Sequence, residues 1–287
     1  MKSKEKVLII GAAGMAGHMI YYYLKDSNKY DLYTTVHNTK LSDDSIICDV
    51  RNEKLLENVV QMIKPDYIIN AVGALIKESM NNPANAILLN SWLPHTLSYL
   101  ALKHHSKLIH ISTDCVFSGK KGNYAVDDFR DADDIYGRSK ALGELINERD
   151  ITIRTSIIGP ELKTNGEGLF HWLFTTDNQM YGFTNVYWSG ITTYELAKII
   201  SRFLNQFKAG IYNISPANPI SKHELLVLVN DKFKLGKRII PESSKKSNKV
   251  LISSLDKTFE ISNYESMITE LFLFMKKYKV SYNFYNF

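Results

Sequence analysis

Val7-Leu-Ile-Ile10, a run of apolar and mostly β-branched residues, leads directly into Gly11-Ala-Ala-Gly14-Met-Ala-Gly17, and a helical pattern follows to Lys25. A short apolar run closed by glycine reads as a buried strand, and the stretch after it reads as a helix opening on the glycines. Glycines at a strand–helix junction allow a tight turn and let the backbone approach a pyrophosphate closely. The first helical turn adds unpaired N–H groups and the positive end of the helix dipole. Glycines in this position also serve plain helix–strand packing, so the turn alone leaves both uses open. Residues 1–6 are charged and 7–24 largely apolar, which imitates a signal peptide. Gly11, Gly14, Gly17 and His18 interrupt that apolar stretch, and the signal-peptide reading is rejected.

Beyond this stretch, 32–36, 46–48, 67–69, 108–112 and 151–154 read as further strands. Between them, 52–63, 83–104 and 136–148 carry helical patterns, with Pro94 expected to kink or restart the second of these. Strand–helix alternation on this scale means crossover units and a parallel sheet. The expectation is an α/β fold, a Rossmann-type doubly wound sheet over 1–158. After Gly159 the pattern changes. Gly and Asn punctuate 159–190, with Phe170, Trp172, Phe174, Tyr181, Phe183, Tyr187 and Trp188 between them. Helix 192–206 and strand 210–214 resume the earlier rhythm, so 191–214 is expected to continue the sheet. Ser221 with Glu224 forms a capping box for a helix over 221–233. The segment 243–249 reads as a polar loop and 264–277 as a last helix. A smaller, discontinuous domain of 159–190 and 215–287 is expected to bind substrate.

The chain has 287 residues, 45% apolar and 23% charged, which excludes intrinsic disorder, a collagen-like fibre and a disulfide scaffold. Its net charge of +5 is dispersed over pairs such as Lys120-Lys121, Lys245-Lys246 and Lys276-Lys277, without the concentrated footprint of a nucleic-acid binder. No segment reaches the length of a membrane span. Cys48 and Cys115 are the only cysteines, and no Cys/His group has metal spacing, so a reduced, cytoplasmic protein with no structural metal is expected.

Two more stretches carry chemistry. In Tyr136-Gly-Arg-Ser-Lys140 the i,i+4 spacing puts phenol and ammonium on one helix face, where the cation favours the phenolate and the pair can pass a proton to a substrate oxygen. Such a pair is also a common accident of a solvated helix face. Ile111-Ser112-Thr113-Asp114 ends a strand at its carboxyl end, where open α/β sheets bind ligands. A hydroxyl there can hydrogen-bond a carbonyl that gains charge on reduction, or simply form a turn.

Taken together, these stretches resemble the extended short-chain dehydrogenase/reductase superfamily, and within it the dTDP-4-dehydrorhamnose reductase group of sugar-nucleotide reductases. The resemblance covers nearly the whole chain. It rests on Ser112-Thr-Asp-Cys-Val-Phe-Ser-Gly119, Tyr136-Gly-Arg-Ser-Lys-Ala-Leu-Gly-Glu144, Ile153-Arg-Thr-Ser156 and Trp188-Ser-Gly-Ile-Thr-Thr-Tyr-Glu-Leu-Ala197. It implies a catalytic Thr113, Tyr136 and Lys140: Tyr136 as proton donor, Lys140 holding the nicotinamide ribose and depressing the tyrosine pKa, Thr113 orienting the sugar carbonyl. It implies that Gly11, Gly14 and Gly17, with Met15 and Ala16, bind the pyrophosphate, that Asp49 and Val50 contact adenine, and that Ala71, Val72 and Gly73 line the ribose and nicotinamide. Asp114 and Trp188 are the substrate-binding candidates.

Where a dehydratase of this superfamily carries Asp-Glu after the catalytic threonine, Thr113 is followed by Asp114-Cys115, which argues against dehydration. Some relatives bind magnesium through a glutamate in the first helix; 17–20 carry no carboxylate here, so no metal is expected, and a homodimer, which the resemblance allows, would not be metal-bridged. NAD-specific sites place an acid at the end of the second strand. Here that end reads Thr34-Thr-Val-His37-Asn38 with Lys40 beyond, so NADPH is favoured over NADH, with His37 or Lys40 facing the 2′-phosphate. Cys115 lacks an identifiable activating base and reads as a small buried hydrophobe. The expected function is reduction of the C4 keto group of a nucleotide-linked 4-keto-6-deoxy sugar for cell-surface polysaccharide. The alternatives are an epimerase that retains its NAD and a non-catalytic NADP-binding subunit like that of methionine adenosyltransferase.

Overall fold

The computed structural model describes residues 3–176, 178–256 and 259–287. Two compact units divide the chain. The first comprises Met1–Ser118, Phe129–Arg154 and Ala197–Tyr212; the second comprises Gly119–Asp128, Thr155–Leu196 and Asn213–Phe287. The segment 119–128, read from sequence as part of the first domain, clusters with the second unit.

In the first unit, β1 (Glu5–Ile10), β2 (Tyr30–Val36), β3 (Ile46–Ile47), β4 (Tyr67–Asn70), β5 (Lys107–Ile111) and β6 (Ile151–Arg154) alternate with α1 (Met15–Ser27), α2 (Glu53–Ile63), α3 (Ile76–Asn81), α4 (Pro83–Ile87), α5 (Leu93–Lys103) and α6 (Ile135–Leu142). With the later strand Gly210–Asn213 at the edge, the sheet order is that strand, then β6-β5-β4-β1-β2-β3. Neighbours from β3 through β6 pair in parallel. The order reverses at β1, which has β2 on one side and β4 on the other, and this reversal opens a crevice at the carboxyl ends of the strands. Val7–Ile10, Ile68, Ile69, Leu108 and Ile109 have no exposed surface, as strands covered on both faces by crossover helices require.

Pro94 restarts its helix as expected. It has no N–H for the carbonyl of Asn90, four residues back. The chain widens instead into a π-type turn over Leu88–Trp92, where the N–H of Leu93 donates to Leu88 O. Helix α6 stops at Leu142, earlier than its sequence pattern suggests. Gly143 packs against the Asn90 carbonyl where a Cβ would collide, and the Leu145 N–H is taken by Thr152 Oγ1 at 3.1 Å.

His18, on α1, is wholly buried, with Nδ1 2.8 Å from the Gly14 carbonyl. Burial brings its imidazole down to about 4, against the opposing pull of that hydrogen bond. The unfolded chain therefore binds a proton near pH 6.5 that the folded chain refuses until about pH 4. His18 should cost the fold nothing above pH 6.5 and on the order of 3 kcal/mol as pH drops to 4, while His110, which burial also holds well below its ordinary value, adds to the fall in the same direction. Urea titrations at intervals across this range should show that slope flattened in His18→Gln.

The second unit contains β7 (Ile157–Ile158), α7 (Leu169–Thr175), β8 (Gln179–Phe183), β9 (Val186–Trp188), β10 (Ile191–Thr192), the start of α8 (Thr193–Asn205), β12 (Ile220–Ser221), α9 (Lys222–Lys232), β13 (Arg238–Glu242), β14 (Ser247–Asn248) and α10 (Tyr264–Lys277), with β11 being the Gly210–Asn213 edge strand already described. Its sheets are small: β8 with β13, β10 with β7, and β12-β9-β14. The capping box at Ser221 and Glu224 is present, and α10 has the bounds read from sequence. Phe170, Phe174, Phe233 and Tyr285 pack edge-to-face or stacked at 4.6–5.6 Å, an aromatic core for this unit. The segment 243–249 is not wholly loop, since β14 pairs with β9 within it.

Candidate active site

The turn after β1 is built by its glycines. Gly11 has φ +80°, and a Cβ on it would lie 2.6 Å from Val72 Cγ2. The N–H groups of Gly11 and Ala12 both donate to Thr35 O, at 3.1 and 2.9 Å, which pins the turn to the end of β2. Ala71 N donates to Ile10 O at 3.0 Å, drawing Ala71, Val72 and Gly73 to the other side of the same turn. A Cβ on Gly17 would collide with the Gly11 carbonyl, so the third glycine serves helix–strand packing. Gly14 caps α1 without any side-chain acceptor for the amides of Met15, Ala16 and Gly17. An uncapped helix N-terminus behind a close backbone approach fits a dinucleotide pyrophosphate.

On the adjoining strands, Thr113 leaves β5 in extended conformation, and its Oγ1 accepts from Cys115 N at 3.1 Å and donates to Asp114 Oδ1 at 3.2 Å. Asp134 caps α6 through Gly137 N at 2.8 Å, fixing the start of the helix that carries Tyr136 and Lys140. Lys140 is 4% exposed, and its Nζ donates to the Ile111 carbonyl at 2.8 Å. Burial lowers its ammonium to about 8, with Glu144 pulling the other way. Tyr136 departs from the expectation that Lys140 depresses it. Burial first, then the neighbouring Cys115, holds the phenol well above its ordinary value; hydrogen bonding with the Thr113 side chain acts against this, and Asp114 and Asp134 reinforce it. The Lys140 ammonium is directed at the Ile111 carbonyl.

Asn90, in the π-type turn, was not singled out in the sequence. Its Oδ1 accepts from Ala74 N at 2.8 Å, and its Nδ2 donates to Ala74 O and Ser139 Oγ, both at 3.1 Å. It ties the loop after β4 to α6. A Cβ on Gly73 would stand 3.2 Å from Asn90 Oδ1 and 3.8 Å from Lys140 Nζ, so Gly73, Asn90 and Lys140 meet in one place.

Behind this group lies a buried charge cluster. Glu144 receives a fork from Arg154, Nε to Oε1 at 2.7 Å and Nη2 to Oε2 at 2.8 Å. Ser112 Oγ donates to Oε1 at 2.8 Å, and Arg130 Nη1 to Oε2 at 3.2 Å. The carboxylate thus joins the residue before Thr113 to the segment just past Lys140.

At the end of β2, His37 and Asn38 are exposed. Lys40 Nζ donates to the Asp43 carbonyl at 2.8 Å. Asp49 is bound by the Arg51 side chain, which also reaches to 3.5 Å from His37 Nε2; Val50 beside it is buried. Arg51 holds the Asp49 carboxyl down to about 2. Asp114 is 6% exposed and engaged by Thr113. Trp188 belongs to the second unit, is 3% exposed, and lies 5.7 Å from Tyr264 and under Lys222 at 4.9 Å. Among the described residues, no three His, Cys, Asp or Glu side chains are grouped to hold a metal ion, and no helix is long and apolar enough to cross a membrane.

A family model described as the RmlD substrate binding domain matches residues 5–265. A dTDP-4-dehydrorhamnose reductase of Aggregatibacter actinomycetemcomitans is 30% identical over 157 residues, 53% of this chain and 51% of that protein, so the chain matches about half that relative's length. Methionine adenosyltransferase 2 subunit beta of Danio rerio is 25% identical over 258 residues, 83% of this chain and 77% of that protein. The crystal structure of dTDP-4-dehydrorhamnose reductase from Bacillus anthracis in complex with NADP superposes with a TM-score of 0.82 at 20% identity, covering 94% of this chain and 99% of that one, a likeness of fold.

Proposed function

Because the chain belongs to the RmlD substrate binding domain family, within the extended short-chain dehydrogenase/reductase superfamily, we propose that it is an NADPH-dependent reductase of the C4 keto group of a nucleotide-linked 4-keto-6-deoxy sugar. The sugar nucleotide would be of the dTDP-4-dehydrorhamnose or UDP-4-keto-6-deoxy-HexNAc type, made in the cytoplasm for cell-surface polysaccharide. The observation that carries this reading is the convergence of Thr113, Tyr136, Lys140 and Gly73 at the carboxyl ends of strands that also present the glycine turn. The dinucleotide, when bound, supplies the hydride.

The chain's own residues do the rest. The turn at Gly11–Gly17 and the open amides of α1 hold the pyrophosphate. Thr113 orients the keto oxygen. The Tyr136 hydroxyl, kept protonated by its burial, gives its proton to the oxygen as negative charge develops there. Lys140, beside Gly73, exchanges the Ile111 carbonyl for the ribose hydroxyls. Trp188, covered within its own unit, is given no substrate contact.

Lys140→Met keeps the stem and removes charge and donors. Hydrogen bonds to a charged donor are typically worth a factor of about 10–100 in affinity. NADPH binding, followed by fluorescence, should weaken by that factor, and turnover should fall with it. A buried ammonium that titrates near 8 loses its proton within the assay range, so wild-type affinity should decline as pH rises through about 8, and this limb should be missing from Lys140→Met. A surface lysine would change neither, since such substitutions stay within about 0.5 kcal/mol.

The similarity to methionine adenosyltransferase 2 subunit beta over 83% of the chain favours one second reading, a dinucleotide-binding subunit without turnover. Incubation with NADPH and a panel of 4-keto sugar nucleotides separates the readings. A reductase consumes NADPH one-for-one with product. An epimerase interconverts sugars without net consumption, and a binding subunit takes up NADPH and leaves every sugar unchanged.

A further inference from the structure

We propose that Arg51, held as a fixed fork by Asp49 beside His37, is the residue that recognises the 2′-phosphate of NADPH, and that Arg51 rather than Lys40 sets the preference over NADH. The proposal rests on the dinucleotide-binding reading above and adds the specificity determinant to it.

The geometry is local and continuous. Thr35 O receives the N–H groups of the glycine turn, and the next carbonyl, Val36 O, receives Cys48 N at 2.9 Å. The phosphate-binding turn, the end of β2 and the end of β3 are therefore laced side by side. His37 follows on one strand and Asp49 on the other, at the place where the ribose of a dinucleotide seated on the turn must lie. No acid occupies 34–38 to bond a 2′-hydroxyl, and the Asp49 carboxylate at this place is taken up by the Arg51 guanidinium.

Arg51 spans the two loops. Its Nε donates to Asp49 Oδ1 at 2.8 Å and its Nη2 to Oδ2 at 2.7 Å, while its backbone N–H donates to Oδ1 at 3.1 Å. Nη2 also lies 3.5 Å from His37 Nε2. A guanidinium has donors on all three nitrogens. With Nε and one Nη2 hydrogen on Asp49 and the other Nη2 hydrogen facing His37 Nε2, the Nη1 pair is left for another acceptor. The side chain is 46% exposed, so an anion can reach it. Planar, bidentate donors suit a phosphate monoester better than a point charge does. Asp49 stays ionised across the working pH range, so the fork persists. Lys40, by contrast, donates to the Asp43 carbonyl within its own loop. Asp49 is then a positioning residue for the guanidinium.

The test is calorimetric titration of NADPH, NADH, 2′,5′-ADP and 5′-ADP into wild type, Arg51→Ala and Lys40→Ala. Arg51→Ala should weaken NADPH and 2′,5′-ADP by about 10–100-fold and leave NADH and 5′-ADP within about threefold. Lys40→Ala should shift NADPH by much less. Equal losses on NADPH and NADH would make Arg51 an adenine contact and overturn the proposal. An unchanged NADPH affinity in Arg51→Ala, or a larger NADPH loss in Lys40→Ala, would overturn it as well. In all three cases the wild type still binds a dinucleotide, and the functional reading stands. A wild type that binds none of the four would overturn both.

Discussion

Tyr136→Phe is expected to lower kcat by about 10²–10⁴-fold, the usual contribution of a general acid, while NADPH affinity stays close to wild type. The substitution keeps the ring and its packing and removes only the hydroxyl. The phenol is held well above its ordinary value by burial and by the neighbouring Cys115, so the wild-type donor remains protonated throughout the neutral range. Its ionisation should therefore put no limb on the wild-type rate profile between pH 6 and about 9. Any alkaline decline in that range belongs to Lys140, near 8. Single-turnover mixing of enzyme-bound NADPH with a 4-keto sugar nucleotide isolates the chemical step. A Tyr136→Phe rate within a few-fold of wild type would remove the tyrosine from the mechanism.

The second large effect is on stability. Glu144→Gln leaves Arg154, whose side chain is 3% exposed, as a buried cation without its counter-charge. Breaking a buried pair from one side typically costs about 3–5 kcal/mol, because the remaining charge is desolvated and uncompensated. Removing both charges is far milder. Urea unfolding should thus show Glu144→Gln strongly destabilised and the double variant Glu144→Gln, Arg154→Met more stable than Glu144→Gln alone. The coupling measured by this cycle isolates the pair from the contributions of Ser112 and Arg130. Additive losses would mean that the fork carries no net interaction.

The first unit was legible because its central strands β1, β4 and β5 are largely buried and α1, α2 and α5 run for 11 to 13 residues. A run such as Val7–Ile10 reads as a buried strand, and crossover helices between such strands require a parallel sheet. The second unit was not, because its pairings are two to five residues long: β12, Ile220–Ser221, and β14, Ser247–Asn248, are too short to show any period. Helix α3, Ile76–Asn81, escaped notice for the same reason. At the site, residues with a chemical pattern were visible: the glycine turn, Thr113 and the Tyr136–Lys140 pair. Residues that act through a partner distant in sequence were not. Asn90 meets Ala74 and Ser139, and Glu144 meets Arg154 and Ser112, contacts that no local spacing encodes. One signal was there to be read: Arg154 closes a wholly buried strand, and an arginine in a buried strand calls for a buried acid. Arg51 left no such sign, since its importance comes from the fork to Asp49 and the approach to His37.

In the proposed reaction, hydride passes from a dinucleotide on the glycine turn to C4 of a sugar nucleotide beside Tyr136. The most direct measurement is a single turnover with NADPH deuterated at the transferring position of the nicotinamide, with the product sugar analysed by mass spectrometry and NMR. One deuterium per product molecule is expected, bound at C4, with an equal amount of NADPH oxidised. Recovery of labelled NADPH intact, with every 4-keto sugar nucleotide unchanged, would contradict it.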